Sequence, residues 1–311
     1  ANLTITVDRS TLRKMAEEND LAGAYRSAGA ARRRNDVVAI VEASKAVAKT
    51  APSTWSYNLV TETRAMQSFV DHVLMQFRAM YEEVYAVLDP SEPLEFLLLI
   101  DNSGSMAPFA IQLQEALVLS MEVLRKLEVR FAVGRIGAEN NARVLKSFDE
   151  PFSAAVGQRM LESLTLDESS YPISGMAAIA RALWAGRPPT HRFTFAITDG
   201  LSKELLDATI MRNDFTGLVE ESAMSISMLV LQLRMKTAER IADADLLYGK
   251  LAEACRQAGG SAQKVLADDA DSLPQRMASV LASAVKSRVA EIQAKRTGAA
   301  VIATAGGRED E

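Results

Sequence analysis

Thiol and imidazole side chains are almost missing from this sequence, which has one cysteine, Cys255, and two histidines, His72 and His191, in 311 residues. A lone cysteine closes no internal disulfide, and one cysteine with two histidines cannot build the Cys/His sets of structural zinc. Any metal held here must rest on oxygen ligands. The cysteine count suits a reducing compartment and a disulfide-free extracellular domain equally. No run of about 18 uninterrupted apolar residues occurs, so no spanning helix is expected. Residues 1–8 lack a basic stretch followed by an apolar one and do not read as a signal peptide. They also lack an initiator Met, which reads as a processed product or a piece of something longer. A glycine-rich phosphate loop is missing too: Gly104 is isolated, and Gly259-Gly260 lacks the lysine and spacing of such a loop. ATP hydrolysis by this chain is not expected.

An excess of one charge is absent as well. Forty acidic against 35 basic side chains leave a formal charge of −5. Arg32-Arg33-Arg34 reads as a solvated helix face, so neither specific nucleic-acid binding nor membrane attachment is expected. What is present is ordinary globular material, 48% hydrophobic and 24% charged, which excludes wholesale disorder.

Along the chain the periodicity changes once. Residues 10–49 and 60–88 carry apolar positions at three and four, the helical spacing, and 89–93 (Asp-Pro-Ser-Glu-Pro) breaks the pattern. Residues 1–90 are therefore expected to form a helical N-terminal segment. From 91 to 296 short apolar runs alternate with helical stretches. Strands are predicted at 96–100, 130–136, 192–198, 225–231 and, weakly, 263–266. Helices are predicted at 108–127, 154–164, 176–184, 204–221, 237–257 and 273–295. This alternation predicts an α/β domain, a mainly parallel sheet covered by helices on both faces. Residues 297–311, small and polar, are expected to be a disordered tail.

Two predicted strands end in an aspartate, Ile100-Asp101 and Thr198-Asp199-Gly200, and in such sheets ligands sit at the carboxyl ends of strands. Asp101, Ser103 and Ser105 alternate through one loop, so a tight bend can turn their oxygens to one point, and Ser105 is placed to cap the helix that follows. One carboxylate, two hydroxyls and a second strand-end carboxylate suit Mg²⁺, which takes octahedral oxygen coordination and keeps several waters. The same residue types also serve as ordinary turn and cap residues. Met106, next to this loop, is a candidate partner contact. His191 lacks a paired Ser or Cys for nucleophilic catalysis.

Residues 97–106 (Leu-Leu-Leu-Ile-Asp-Asn-Ser-Gly-Ser-Met) resemble the first motif of von Willebrand factor type A domains, and 195–200 (Phe-Ala-Ile-Thr-Asp-Gly) resemble the third. The resemblance implies a Rossmann-like fold with a metal-ion-dependent adhesion site that holds Mg²⁺, or Mn²⁺ or Ca²⁺. On that pattern Ser103 and Ser105 ligate the metal directly and Asp101 and Asp199 hold it mostly through water. The family's second motif offers a threonine in a Gly-Gly-Thr-Pro-like loop. Here 169–175 occupies that place, with Tyr171 at the threonine in the simplest alignment, or Ser170 supplying the hydroxyl if the loop shifts by one residue.

A narrower resemblance adds to this. Residues 144–152, 164–166 and 269–274 are similar to segments of the carboxyl-terminal domain of the midasin family, giant AAA-type ATPases of large-subunit ribosome assembly. It implies a non-enzymatic domain that grips an acidic residue of a ubiquitin-like domain of an assembly factor, in the nucleus or nucleolus. The sequence leaves other readings open: a co-chaperone or adaptor of another AAA-type ATPase in the cytoplasm, an architectural domain whose metal site has decayed, and a Mg²⁺-dependent hydrolase.

Overall fold

The computed structural model describes residues 93–306 apart from 189, 223, 233–237, 267–268 and 270–271, together with 57, 61, 67–68, 70–75, 78, 82 and 86. The helix expected at 10–49 lies outside the described residues, as do 307–311. Where residues between 60 and 88 are described, those at 61, 67–68, 70–75, 78 and 82 are helical.

Six strands form one sheet: β1 Leu94–Asp101, β2 Arg130–Ile136, β3 Arg143–Lys146, β4 His191–Thr198, β5 Met224–Gln232 and β6 Ala262–Leu266. Their order is β3-β2-β1-β4-β5-β6, with every pairing parallel except β2 with β3. This is the doubly wound order, in which the chain leaves β1 toward one edge and returns at β4 toward the other. The fold is the α/β class expected from the sequence.

β1 is buried along its whole length, the reason its apolar run is continuous rather than alternating. Successive side chains still point to opposite faces. Phe96, Leu98 and Ile100 enter one core with Phe193, Phe195 and Ile197 of β4, while Leu97 and Leu99 enter the other with Ala132 and Ala196. The first core is closed by α1 Ala110–Lys126, α2 Ala154–Glu162 and α5 Leu273–Gly306, and by Tyr57, Val70 and Val73 from the N-terminal residues. The second is closed by α3 Pro172–Trp184 and α4 Ala238–Gln257. Fully burying an aliphatic side chain of this size contributes about 1.5–3 kcal/mol, so β1 anchors both layers. The stretch Gly104–Lys126 is apolar enough to cross a membrane by length and composition, but it is a helix packed inside the protein. Its helix is buried on nearly all sides, Gln112, Gln114 and Glu115 included, as a core helix is.

Four expectations are corrected. The helix predicted at 204–221 is a 3₁₀ turn, Lys203–Leu206, followed by short helical and π-helical pieces through 208–222. Asp207 causes the break, because its carboxylate accepts from the Thr209 and Ile210 amides and starts a new helix. Ser105 does not cap a helix. A 3₁₀ turn, Gly104–Phe109, comes first, and its Pro108 has no amide hydrogen to pair back along an α-helical turn. The last helix continues to Gly306, so 297–306 is helical where a disordered tail was expected. Ala299, Ala300, Ala303 and Ala305 favour the helix and offset the weaker propensities of Gly298, Val301 and Ile302. Met106 is fully buried and is core rather than a partner contact. Strand β3 was not anticipated.

Candidate metal centre

The switch point of the sheet lies between β1 and β4, where the two neighbouring strands depart to opposite edges and leave a crevice at their carboxyl ends. Asp101 ends β1 and Thr198 ends β4, one residue beyond the last matched pair, Ile100 with Ile197. The parallel register therefore sets these two side chains side by side. The Thr198 hydroxyl donates to Asp101 Oδ2 at 2.7 Å and accepts from the Gly200 amide at 3.1 Å. Gly200 has φ of +67°, the left-handed turn that swings the chain from Asp199 back over the sheet.

The loop after β1 divides its side chains between two directions. Asn102 points down into the protein, where its amide donates to Thr165 Oγ1 at 2.9 Å and its oxygen accepts from Leu166 N at 2.9 Å. Its carbonyl accepts from Glu168 N, and Glu168 O accepts from Gly104 N. Glu168 is fixed in turn by Arg135 at 2.9 Å, Asn141 at 2.9 Å and the Ala138 amide at 3.0 Å. The 163–171 loop is thus pinned beneath the 101–105 loop.

Pinned in this way, the loop delivers Ser170. Its hydroxyl donates to Asp101 Oδ2 at 3.2 Å, while Asp101 Oδ1 accepts from Ser103 N at 2.9 Å. Ser103 Oγ and Ser105 Oγ lie 3.1 Å apart. Tyr171 begins α3 without a side-chain cap bond, so the hydroxyl that faces Asp101 is that of Ser170. Asp199 is buried; its Oδ1 accepts from Leu201 N at 3.0 Å, and its Oδ2 accepts no hydrogen bond among the described residues. Asp101, Ser103, Ser105, Ser170 and Asp199, the five candidate ligands, are thereby gathered from three loops.

The electrostatics of this cluster are unfavourable as it stands. Burial, and then the Asp199 charge, push Asp101 up to about 7 from an ordinary value of 3.8, against the opposing bonds of Thr198 and Ser103. Burial raises Asp199 as well, with the nearby Ser105 hydroxyl and the Leu201 amide opposing. Two buried carboxylates side by side resist ionising together. A divalent cation between them removes that conflict.

The donor set fits a hard cation. Among the described residues no three His, Cys, Asp or Glu side chains gather around one point, so a metal must draw on hydroxyls. The 3.1 Å separation of the Ser103 and Ser105 oxygens matches the edge of about 3 Å between adjacent ligands of octahedral Mg²⁺. Among the described residues Asp199 Oδ2 accepts no hydrogen bond, the kind of buried group that costs about 1–3 kcal/mol unless something meets it.

No protein-family model matches the chain, and no curated protein matches it. Among solved structures it is similar to an aerotolerance-related membrane protein from Bacteroides fragilis, with 14% identity over 62% of this chain and 99% of that one, TM-score 0.42. It is also similar to the pilus adhesin SpaC from Lactobacillus rhamnosus GG, with 14% identity over 64% of this chain and 31% of that one, TM-score 0.47. A third is proximal thread matrix protein 1 from the mussel byssus, whose metal-ion-dependent adhesion motif is occupied by zinc, with 9% identity over 61% of this chain and 48% of that one, TM-score 0.45. The chain spans about a third of the adhesin and about half of the thread protein. The α/β assignment rests on the chain's own strand order.

Sequence reasoning missed several contributors. Thr198 stands beside Asp199 in the sequence, and aligning the ends of the two central strands sets it level with Asp101. Asn102 and Glu168 act through loop packing between distant segments, and no local pattern marks them.

Proposed function

We propose that this chain is a divalent-metal-dependent protein-binding domain and not an enzyme. Ser103, Ser105 and Ser170 would offer hydroxyls to the ion, and Asp101 and Asp199 would offset its charge and orient its waters. When bound, the ion supplies a Lewis-acidic position for a carboxylate of a partner protein. The observation that carries this reading is the convergence of these five side chains at the switch point around an Asp199 Oδ2 that accepts no hydrogen bond among the described residues.

The chain's own residues do the positioning. Asp101 is saturated by Ser103 N, Ser170 and Thr198, so it acts mainly as the post on which the hydroxyls are oriented. Leu201, whose amide binds Asp199, is an exposed large hydrophobic residue beside the site and supplies an apolar contact suited to a protein surface. The Ser170 contact supports an intact site over the decayed one that Tyr171 suggested.

The finer part of the proposal rests on sequence likeness. The similarity of 144–152, 164–166 and 269–274 to the midasin family supports a place in a large AAA-type ATPase machine, with a ubiquitin-like domain that contributes an acidic residue as partner and a nuclear or nucleolar location. The test is capture of such a domain in Mg²⁺, in chelator, and by the Asp101→Ala variant. Capture that survives both chelator and substitution sinks the metal-bridge mechanism, and Mg²⁺-dependent phosphatase turnover would turn the reading toward a hydrolase.

A further inference from the structure

Glu204 lies in the 3₁₀ turn Lys203–Leu206 and is buried, yet among the described residues it forms no ion pair. Both its oxygens are engaged by the start of α3. Oε2 accepts from Ile173 N at 2.9 Å, and Oε1 accepts from Ser174 N at 3.3 Å and from the Ser174 hydroxyl. The first amides of a helix have no partner within it, and α3's own N-cap residue, Tyr171, provides no side-chain bond. A carboxylate reaching across from another loop fills that need and is favoured by the positive end of the helix.

A second link runs beside it. The Ser202 hydroxyl accepts from Glu204 N at 3.2 Å and donates to Ser170 O at 3.3 Å. The segment 199–204, which carries Asp199, is therefore clamped twice to 170–174, which carries Ser170. These are the loops of two different crossover connections; the Ser170 segment is also held by its bond to Asp101, by Tyr171 N to Gly137 O and by the Glu168 contacts, but the clamp is what links it to the loop of Asp199.

The structure assigns to Glu204 the role of a positioning residue that holds Ser170 and Asp199 in one frame, ready for a divalent cation. The inference rests on the proposed metal reading and deepens it. Because its oxygens are occupied by α3, Glu204 acts through the two loops and not by touching the ion. Outer-shell groups of this kind typically change metal affinity by about 10- to 100-fold when removed.

The experiment is a Mn²⁺ titration, followed by calorimetry or by the electron paramagnetic resonance of free Mn²⁺, on the whole chain. It compares wild type with Glu204→Gln, Ser202→Ala and Glu95→Gln. Gln is isosteric but turns an NH₂ toward amides that need acceptors. Glu95 is a buried carboxylate at the opposite end of β1, bonded to Trp184 and Thr190, and controls for general destabilisation. Glu204→Gln is expected to weaken Mn²⁺ binding about 10-fold or more, with Ser202→Ala weakening it less and Glu95→Gln leaving it unchanged. Should Glu204→Gln fail to fold, Ser202→Ala carries the test, since it removes the link to Ser170 and leaves the carboxylate in place. Binding by both variants equal to wild type overturns the positioning role alone, as does an equal loss in Glu95→Gln. A wild-type chain that takes up no Mn²⁺ overturns the metal reading and this inference with it.

Discussion

Thr198 Oγ1 stands 2.7 Å from Asp101 Oδ2 and joins the ends of the two central strands by a side-chain hydrogen bond. The same oxygen accepts from Gly200 N, so one hydroxyl orients both Asp101 and the turn that carries Asp199. Thr198→Val keeps the shape and deletes the hydroxyl. The expected loss is about 1–3 kcal/mol of stability by urea unfolding, because a buried carboxylate oxygen and an amide lose a partner. Mn²⁺ affinity should fall in the same variant, by about 10-fold or more.

The buried pair gives the metal-free protein a definite pH response. The folded value of Asp101, about 7, lies above the unfolded value near 3.8, so between these limits the folded chain binds more protons than the unfolded one. The stability from this group is fully present below about pH 4 and is lost as the pH rises through about 7. Chelated protein should therefore lose this part of its stability progressively from about pH 4 to about pH 7, with little further change above, scanned as thermal midpoints, and Asp101→Asn should flatten the profile. Metal affinity runs the other way and rises across the same window, because the ligands must lose protons to bind.

Among the described N-terminal residues Tyr57 hydrogen-bonds to the domain, beside Val70 and Val73 in the core and the Asp71–Lys126 ion pair. The Tyr57 hydroxyl donates to buried Glu122 Oε1 at 2.6 Å, its amide donates to Gln158 Oε1 at 2.6 Å, and its ring meets Phe152 edge-on. Gly157 forms the floor, where an added Cβ would come within 2.6 Å of the ring. Tyr57→Ala should cost about 3–5 kcal/mol, as other large aromatic truncations do. Gly157→Ala should cost about 1–3 kcal/mol by overpacking, and much less in the Tyr57→Ala background, where the clash is gone. Unfolding midpoints of the two single variants and the double variant measure this coupling.

Asn102 holds the 163–168 loop from above through three hydrogen bonds, two from its side chain and one to its backbone carbonyl, while its own amide donates to Ile136 O at the end of β2. Asn102→Ala leaves the buried Leu166 amide without its acceptor and should cost about 1–3 kcal/mol. Hydrogen exchange at Leu166 and through 165–170 should quicken, while exchange in β5 should change only as far as global stability does.

Much of this architecture could be read in advance because burial on both faces leaves an uninterrupted apolar signature. Phe96 to Ile100 and Phe193 to Ile197 show it, and each is followed at once by the polar residues of the site. β3 shows nothing comparable, since it is a four-residue edge strand with exposed Arg143 and Val144. The helical rhythm of 204–221 concealed the break at Asp207, because a cap residue inside an apolar pattern looks like a solvent-facing position. At the site, Asp101, Ser103, Ser105 and Asp199 were legible from their places at strand ends. Choosing between Ser170 and Tyr171 required knowing the path of a loop, which is set by Asn102 and Glu168 across the fold. Glu204 was illegible for the same reason, its partners being on another loop.

The most direct measurement is an X-ray anomalous difference map from crystals of the whole chain grown with Mn²⁺. The account predicts one strong peak bounded by the hydroxyls of Ser103, Ser105 and Ser170 and the free Oδ2 of Asp199, lost in Asp199→Ala. A map at full Mn²⁺ loading with no density at that point would contradict it.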